Sequence, residues 1–75
     1  MSPESLTAVA GLVRGAAAGM SAAEVARALQ ASRVTARRYL EYLAEAGAVA
    51  RHLRYRGAGR PEVEYRWLRG RPAAQ

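Results

Sequence analysis

Arginines crowd one short segment near the middle of the chain, at Arg33, Arg37 and Arg38. The planar guanidinium of arginine binds phosphate oxygens and guanine edges through paired hydrogen bonds. Ser32 and Thr35 lie among these arginines, and their hydroxyls can donate to phosphate oxygens, which fixes register without selecting a sequence. The alternative is that Ser32 only caps a helix and Thr35 is only solvated. The chemistry indicated is binding of a polyanion.

The same segment has the period of a helix. Small and apolar residues recur at spacings of four, three and four, namely at Ala36, Leu40, Leu43 and Gly47. At about 100° per residue, Val34, Arg37 and Arg38 fall away from that stripe. We therefore predict a helix over residues 33–46 that is anchored along one face and basic at its N-terminal end. Such a helix suits the major groove of double-stranded DNA.

The two adjacent arginines of this helix differ in direction by about 100°, so they cannot face the same base step. We expect Arg37 to contact a guanine edge and Arg38 to bind the DNA backbone. The competing interpretation pairs both with Glu41 at helical spacing, but exposed pairs of this kind contribute only about 0.3–0.5 kcal/mol. Val34 either contacts a thymine methyl or is an isolated surface valine.

The segment before the arginines predicts a second helix and a tight turn. Ser21 and Glu24 form a capping box at the start of that helix. Its free backbone amides beside Ser21 are a further candidate phosphate contact, and a scaffold helix that touches nothing is the alternative. The connection to Ser32 is very short, which is typical of a helix-turn-helix. Gln30 stands where glycine is usual, and a left-handed conformation there costs roughly 1 kcal/mol.

The N-terminal segment predicts a first helix. Ser2, Pro3 and Glu4 have the residue types of a helix start. We expect this helix to continue as far as Gly19, since glycine is common just past a helix end. A structural role is one interpretation of this helix, and packing against a second copy of the chain, as a homodimer, is the other.

A β-hairpin is predicted after the arginine-bearing helix. Apolar residues alternate in two runs, at Val49, Leu53 and Tyr55 and then at Val63, Tyr65 and Trp67. The glycine-rich and basic residues 56–61 between them predict a turn, the wing of a winged helix. Arg60, and more weakly Arg56, are candidate contacts to an adjacent minor groove or to the DNA backbone. A solvated loop is the alternative for both arginines.

Composition limits the number of domains and the classes of function that the chain can have. The 75 residues suffice for one small domain, which we place at 1–69, with 70–75 as a flexible tail. Twelve arginines against six glutamates give a net charge of +6, which favours a polyanionic partner. There is no cysteine, aspartate or lysine, and His52 is the lone histidine. We therefore expect no enzyme, no metal, no cofactor and no membrane association, and a cytoplasmic location. Tyr39, Tyr65 and Trp67 we assign to the core.

Residues 21–43, read as S-A-A-E-V-A-R-A-L-Q-A-S-R-V-T-A-R-R-Y-L-E-Y-L, resemble the C-terminal DNA-binding domain of citrate- and dicarboxylate-sensing two-component response regulators. The segment Gly59-Arg60-Pro61-Glu62 in the hairpin matches as well, so the likeness runs from Gly19 to Leu68. It implies a bacterial transcription regulator whose winged helix follows a phosphorylatable receiver domain. Without aspartate, this chain cannot be the phosphoacceptor itself. It is either a fragment, in which case a receiver is an expected partner, or a free-standing relative that has lost its input. Gln30 and the charged turn after Tyr55 depart from the family pattern.

Together these features predict a mainly α fold with a small β-hairpin, a winged helix-turn-helix of three helices plus wing. The leading interpretation is sequence-specific binding of double-stranded DNA by a bacterial, nucleoid-associated transcription regulator. Helix 33–46 would enter the major groove, and wing 56–61 would lie on the adjacent minor groove or backbone. A winged-helix protein-interaction module and a non-specific nucleic-acid binder are the alternatives, since fold does not determine function.

Overall fold

The computed structural model describes residues 1–55 and 59–68. Its elements are α1 (Pro3–Gly15), β1 (Met20–Ser21), α2 (Ala22–Leu29), α3 (Arg33–Glu45), β2 (Val49–Arg54) and β3 (Glu62–Trp67). The three strands form one antiparallel sheet with β3 in the middle. This architecture confirms the predicted winged helix-turn-helix. Arg56, the first part of the wing turn and the predicted tail 70–75 lie outside the described residues.

Local capping signals determine where the helices begin. The Ser2 hydroxyl accepts a hydrogen bond from the Ser5 amide, at 3.3 Å, at the start of α1. The Ser21 hydroxyl accepts from the Glu24 amide while the Glu24 carboxylate accepts from the Ser21 amide, which completes the predicted capping box of α2. Each cap satisfies amides that the first turn of a helix leaves without a backbone partner.

The end of α1 differs from the prediction. The helix stops at Gly15, and Ala16 is already in an extended conformation, so the expected continuation to Gly19 was wrong. Gly19 instead has a φ of 84° and turns the chain into β1. β1 pairs with the middle strand, with Met20 opposite Tyr65. The sheet therefore gains a third strand that the sequence pattern did not indicate.

Substitution of Gly19 by alanine is expected to lower the free energy of unfolding by about 1–3 kcal/mol, because its left-handed backbone disfavours a side chain. The added Cβ would also lie 2.8 Å from the Arg66 side chain and 2.9 Å from the Tyr65 carbonyl. Gly11→Ala is the matched control, since a Cβ there meets nothing within 4 Å. In the interior of α1 it should stabilise by about 0.8–1 kcal/mol. Urea denaturation measures both, and equal effects would contradict this account of Gly19.

The turn between α2 and α3 is tight. Gln30, which stands where glycine is usual, adopts the left-handed conformation, with a φ of 56°. The Ala31 amide donates to the Ala26 carbonyl at 2.9 Å, which closes the end of α2. Ser32 then caps α3 by accepting from the Thr35 amide at 3.0 Å. These contacts hold the two helices of the motif at a fixed angle.

One apolar cluster joins all three helices to the sheet. Its buried members are Val9, Val13, Ala22, Val25, Ala26, Ala36, Tyr39, Leu40, Leu43, Val49 and Tyr65. The predicted stripe of α3 is thus buried from Ala36 to Leu43, and Tyr39 and Tyr65 belong to the core as expected. The Tyr39 hydroxyl also accepts from the Ser2 amide at 3.0 Å, which links α3 to the start of α1.

The outer half of the hairpin extends beyond this core. Val49 lies opposite Trp67 at the base, while Leu53 lies opposite Val63 near the wing. Leu53 is 58% exposed and Val63 is 37% exposed. The hairpin therefore has a packed base and a projecting end. No helix in the described ranges is both long and apolar enough to cross a membrane.

Candidate nucleic-acid interface

An open cleft of about 720 Å³ separates α3 from the hairpin. Arg33 and Arg37 line it from α3, and Arg60 lines it from the wing side. All three side chains are exposed. The start of α2 also borders the cleft, through Ala22 and Ala23. Helix, wing and a helix N-terminus thus surround one concave basic surface.

Two rows of exposed residues run along the start of α3. Arg33 and Arg37 lie one turn apart on the hairpin side, and we call them the cleft row. Val34 and Arg38 form the outer row. Around the helix axis, both lie about 160° from the buried Ala36, whereas Arg33 lies about 60° and Arg37 about 100° from it. Val34 is 71% exposed, and Arg38 is exposed as well. The outer row therefore points away from the body of the domain.

Glu41 continues the cleft row, but its partner is not the one considered from sequence. The Nε of Arg51 donates to both Glu41 carboxylate oxygens at 3.1 Å, and a second guanidinium nitrogen also contacts this carboxylate. The Tyr65 hydroxyl donates to the same group at 2.6 Å. Within residues 1–55 and 59–68, no hydrogen bond or ion pair engages Arg37 or Arg38. Both guanidinium groups are thus available to a ligand.

These contacts also fix the ionisation of the cluster. The hydrogen bond from Arg51, followed by that from Tyr65, lowers the pKa of Glu41 from 4.5 to about 2. Burial, followed by the hydrogen bond to Glu41, raises the pKa of Tyr65 to about 12. Glu41 is therefore ionised at neutral pH, with its charge compensated by Arg51. An anion entering the cleft meets little net negative charge there.

Titration of Glu41 provides a test of this cluster. We expect a carboxyl pKa of about 2 in the folded chain, as measured by carbon-13 NMR. Because the folded pKa lies below the ordinary value of 4.5, the stabilisation is full above pH 4.5 and is lost as pH falls towards about 2. Arg51→Leu should return the pKa towards its ordinary value, whereas Arg27→Leu on α2 should leave it unchanged. An unaltered pKa in Arg51→Leu would show that another group holds the carboxylate.

A second ionic cluster anchors the opposite face of the hairpin. Arg54 of β2 donates to Glu64 at 2.7 Å and to Glu24 at 3.1 Å, and it lies 3.5 Å from Glu62. Its hydrogen bond to Glu64 lowers the pKa of that carboxyl, which is almost fully buried. Since Glu24 also caps α2, one guanidinium joins the helix-turn-helix to both long strands. This arrangement holds the base of the wing in place.

The sequence did not indicate these two clusters. Glu24 and Arg54 are separated by 30 residues, and Glu41 and Arg51 by 10. A sequence pattern that indicates ion pairing exists only within the hairpin, where Glu62 lies opposite Arg54 and Glu64 lies opposite His52. Cross-strand pairs of opposite charge are favourable. That pattern predicts pairing across the hairpin but not the contacts to the helices.

The hydroxyl residues predicted at the site have structural roles. Ser21 is 1% exposed, and its hydroxyl is engaged by the Glu24 amide. Contact with an anion at the start of α2 would therefore involve backbone amides. The exposed Ser32 hydroxyl accepts from the Thr35 amide and donates to the Thr35 hydroxyl, each at 3.0 Å. Thr35 borders a smaller groove beside α1 instead of the cleft.

The predicted site residues that lie within the described ranges therefore fall into three groups. Arg33, Arg37 and Arg60 converge on the cleft, Val34 and Arg38 lie on the outer row, and the hydroxyl residues belong to helix caps. In the part of the chain that the structure describes, no group of three or more histidine, cysteine or acidic side chains is placed to hold a metal ion. Trp67 is half-buried and lies 4.9 Å below the guanidinium of Arg14, which suits packing instead of base stacking.

Comparison with known proteins agrees with this architecture. A family model described as the DpiA-like helix-turn-helix domain matches residues 5–67, which include α2, α3, the sheet and all but the first two residues of α1. The chain is 52% identical over 48 residues to the probable C4-dicarboxylate response regulator DctR of Bacillus subtilis (strain 168). That alignment covers 64% of this chain and 21% of the relative, so the chain matches about a fifth of that protein's length. No solved structure matches the chain. This chain belongs to the family of DpiA-like helix-turn-helix domains.

Proposed function

We propose that the chain binds double-stranded DNA in a sequence-specific manner, as the DNA-binding part of a bacterial transcription regulator. Its family and its likeness to a response regulator support DNA binding by a regulator. The observation that carries the proposal furthest is the open cleft, on which arginines of α3 and of the wing converge. No catalytic step is part of this function.

The proposed docking places the first half of α3 in the major groove. The groove of B-form DNA is about 12 Å wide and admits a helix. The wing then rests on the adjacent minor groove or backbone. The proposed DNA contacts are Ser21 through its neighbouring amides, Ser32, Arg33, Val34, Thr35, Arg37, Arg38, Arg56 and Arg60. Arg56 is included on the basis of the sequence alone, because it lies outside the residues that the structure describes.

The distribution of charge also supports the cleft as the DNA-binding surface. The chain carries a net charge of +6, and the acids that border the cleft already have cationic partners. Glu41 is held by Arg51, and Glu62 lies 3.5 Å from Arg54. The cleft arginines therefore face a phosphate backbone without a competing carboxylate. Affinity should fall steeply with added salt, since each neutralised phosphate releases counterions.

The regulatory context is part of the proposal. The relative from Bacillus subtilis is named as a C4-dicarboxylate response regulator. We infer that this chain serves as the output domain of a two-component response, controlled by a receiver domain, inside the cytoplasm. A homodimer would place two copies of the cleft on two half-sites of an operator.

Selection of bound duplexes from a random library tests the function. One enriched motif is expected, and a repeat of that motif at about 10–10.5 base pairs would indicate a dimer on one face of the DNA. Retained binding without any enriched motif would indicate a non-specific nucleic-acid binder. Absence of binding at low salt would instead favour the protein-interaction module.

A further inference from the structure

We propose that Arg38 and Val34 determine the sequence preference of this domain, while Arg37 binds the phosphate backbone together with Arg33 and Arg60. The inference rests on the proposed DNA binding and assigns roles within that same surface. It reverses the roles that spacing along the sequence suggested for Arg37 and Arg38. The reason lies in how the hairpin divides the exposed side of α3 into two rows.

The cleft row faces a space that suits a sugar-phosphate ridge. When α3 occupies the major groove and the wing lies on the neighbouring minor groove or backbone, the ridge between the two grooves must pass between helix and wing. In this domain that space is the cleft, and its cationic lining comes from Arg33, Arg37 and Arg60. Arginine at such a position binds phosphate oxygens through paired hydrogen bonds.

The direction of Arg37 agrees with this role. Arg37 lines the cleft together with Glu41 and Tyr65, which places its side chain on the hairpin side of α3. Because Arg51 and Tyr65 engage both oxygens of Glu41, that carboxylate does not hold Arg37. Arg37 is thus drawn towards the cleft yet remains available to a phosphate. To contact a base edge, it would have to turn away from this neighbourhood.

The outer row has the orientation that a base contact needs. Val34 and Arg38 are rotated about 160° from the buried Ala36 and project furthest from the domain. Val34 is 71% exposed although it is apolar. A thymine methyl is a suitable partner for such a side chain, and the O6 and N7 atoms of guanine suit an arginine. The outer row therefore combines the two side-chain types that distinguish base pairs in the major groove.

The spacing of the outer row predicts a feature of the preferred site. Residues four apart on a helix are separated by about 6 Å along its axis. Successive base pairs rise by about 3.4 Å. A guanine contacted by Arg38 and a thymine contacted by Val34 should therefore lie within about two base pairs of each other.

Two single variants of the full chain separate the roles. The duplex selected from the random library is compared with a set in which each base pair is changed in turn. Arg38→Ala should reduce the preference at one guanine position, expected at about tenfold, to near unity. Arg37→Ala should weaken binding to every duplex by a similar factor and leave the pattern of preferences intact. It should also lower the slope of log affinity against log salt by about 0.9.

A third variant and a matched control complete the experiment. Val34→Ala should reduce the preference at one thymine position. Arg27→Ala, the control, removes one exposed arginine of α2 away from the cleft and should leave the pattern of preferences intact, with a smaller loss of affinity than Arg37→Ala. Circular dichroism establishes that each variant is folded. The inference is overturned if Arg37→Ala removes a base preference, or if Arg38→Ala weakens all duplexes alike. The proposed sequence-specific function itself fails only if the unaltered chain prefers no duplex. The unaltered chain thus tests the function, and the variants test the assigned roles.

Discussion

Replacement of Arg33, Arg37 and Arg60 together by alanine is expected to weaken binding to a duplex by about a hundredfold at physiological salt. The three side chains line one cleft, and we propose that each neutralises a phosphate of the same ridge. Loss of three phosphate contacts should also lower the slope of log affinity against log salt by about 2.7. Fluorescence anisotropy over a series of salt concentrations measures both quantities.

A control of equal charge decides whether position matters. Substitution of Arg14, Arg27 and Arg66 by alanine also lowers the net charge from +6 to +3, but none of these residues lines the cleft. Its effect on affinity should be much smaller than that of the cleft variant, provided that circular dichroism shows a folded chain. Equal losses in the two triple variants would mean that net charge alone attracts DNA.

Substitution of Leu40 by alanine is expected to cost the domain most of its stability. Leu40 has no exposed surface and lies in the middle of the buried stripe of α3. Truncation of a buried leucine to alanine typically costs about 2–5 kcal/mol. In a domain of this size the melting temperature should fall by about 10 °C or more. Thermal denaturation followed by circular dichroism measures this change.

Val34→Ala is the matched control on the same helix. Because the Val34 side chain is 71% exposed, its substitution should change the free energy of unfolding by less than about 0.5 kcal/mol. The two variants should differ in DNA binding as well. Val34→Ala should change the preference at a base pair, whereas Leu40→Ala should impair binding only to the extent that the chain unfolds. A folded Leu40→Ala variant with an unchanged melting temperature would contradict the anchoring of α3 by this stripe.

Much of the fold was predictable because its signals are local. Ser2, Ser21 and Ser32 each cap a helix through the amide three residues further along, so residue type and spacing suffice. The buried stripe of α3 was predictable for the same reason, since helical period alone determines which residues share a face. Gly47, with a φ of 82°, follows α3 in the conformation that glycine favours.

Other features depend on contacts between distant segments and therefore escaped prediction. Residues 16–18 are alanines, which favour a helix, yet α1 ends before them because the chain must turn at Gly19 to pair with β3. A strand of two residues has no period to detect. Likewise, the side of α3 that Arg37 faces became defined only when the hairpin, with Arg51 and Tyr65, was placed beside it.

The most direct test of the DNA-binding surface is an amide chemical-shift titration of the nitrogen-15-labelled chain with the selected duplex. We predict that the largest changes occur at residues 21–23, 32–38 and 60, which border the cleft or form the cap and first half of α3. Changes concentrated on the exposed face of α1, around Ala8 and Gly11, with residues 32–38 unaffected, would contradict the proposed surface.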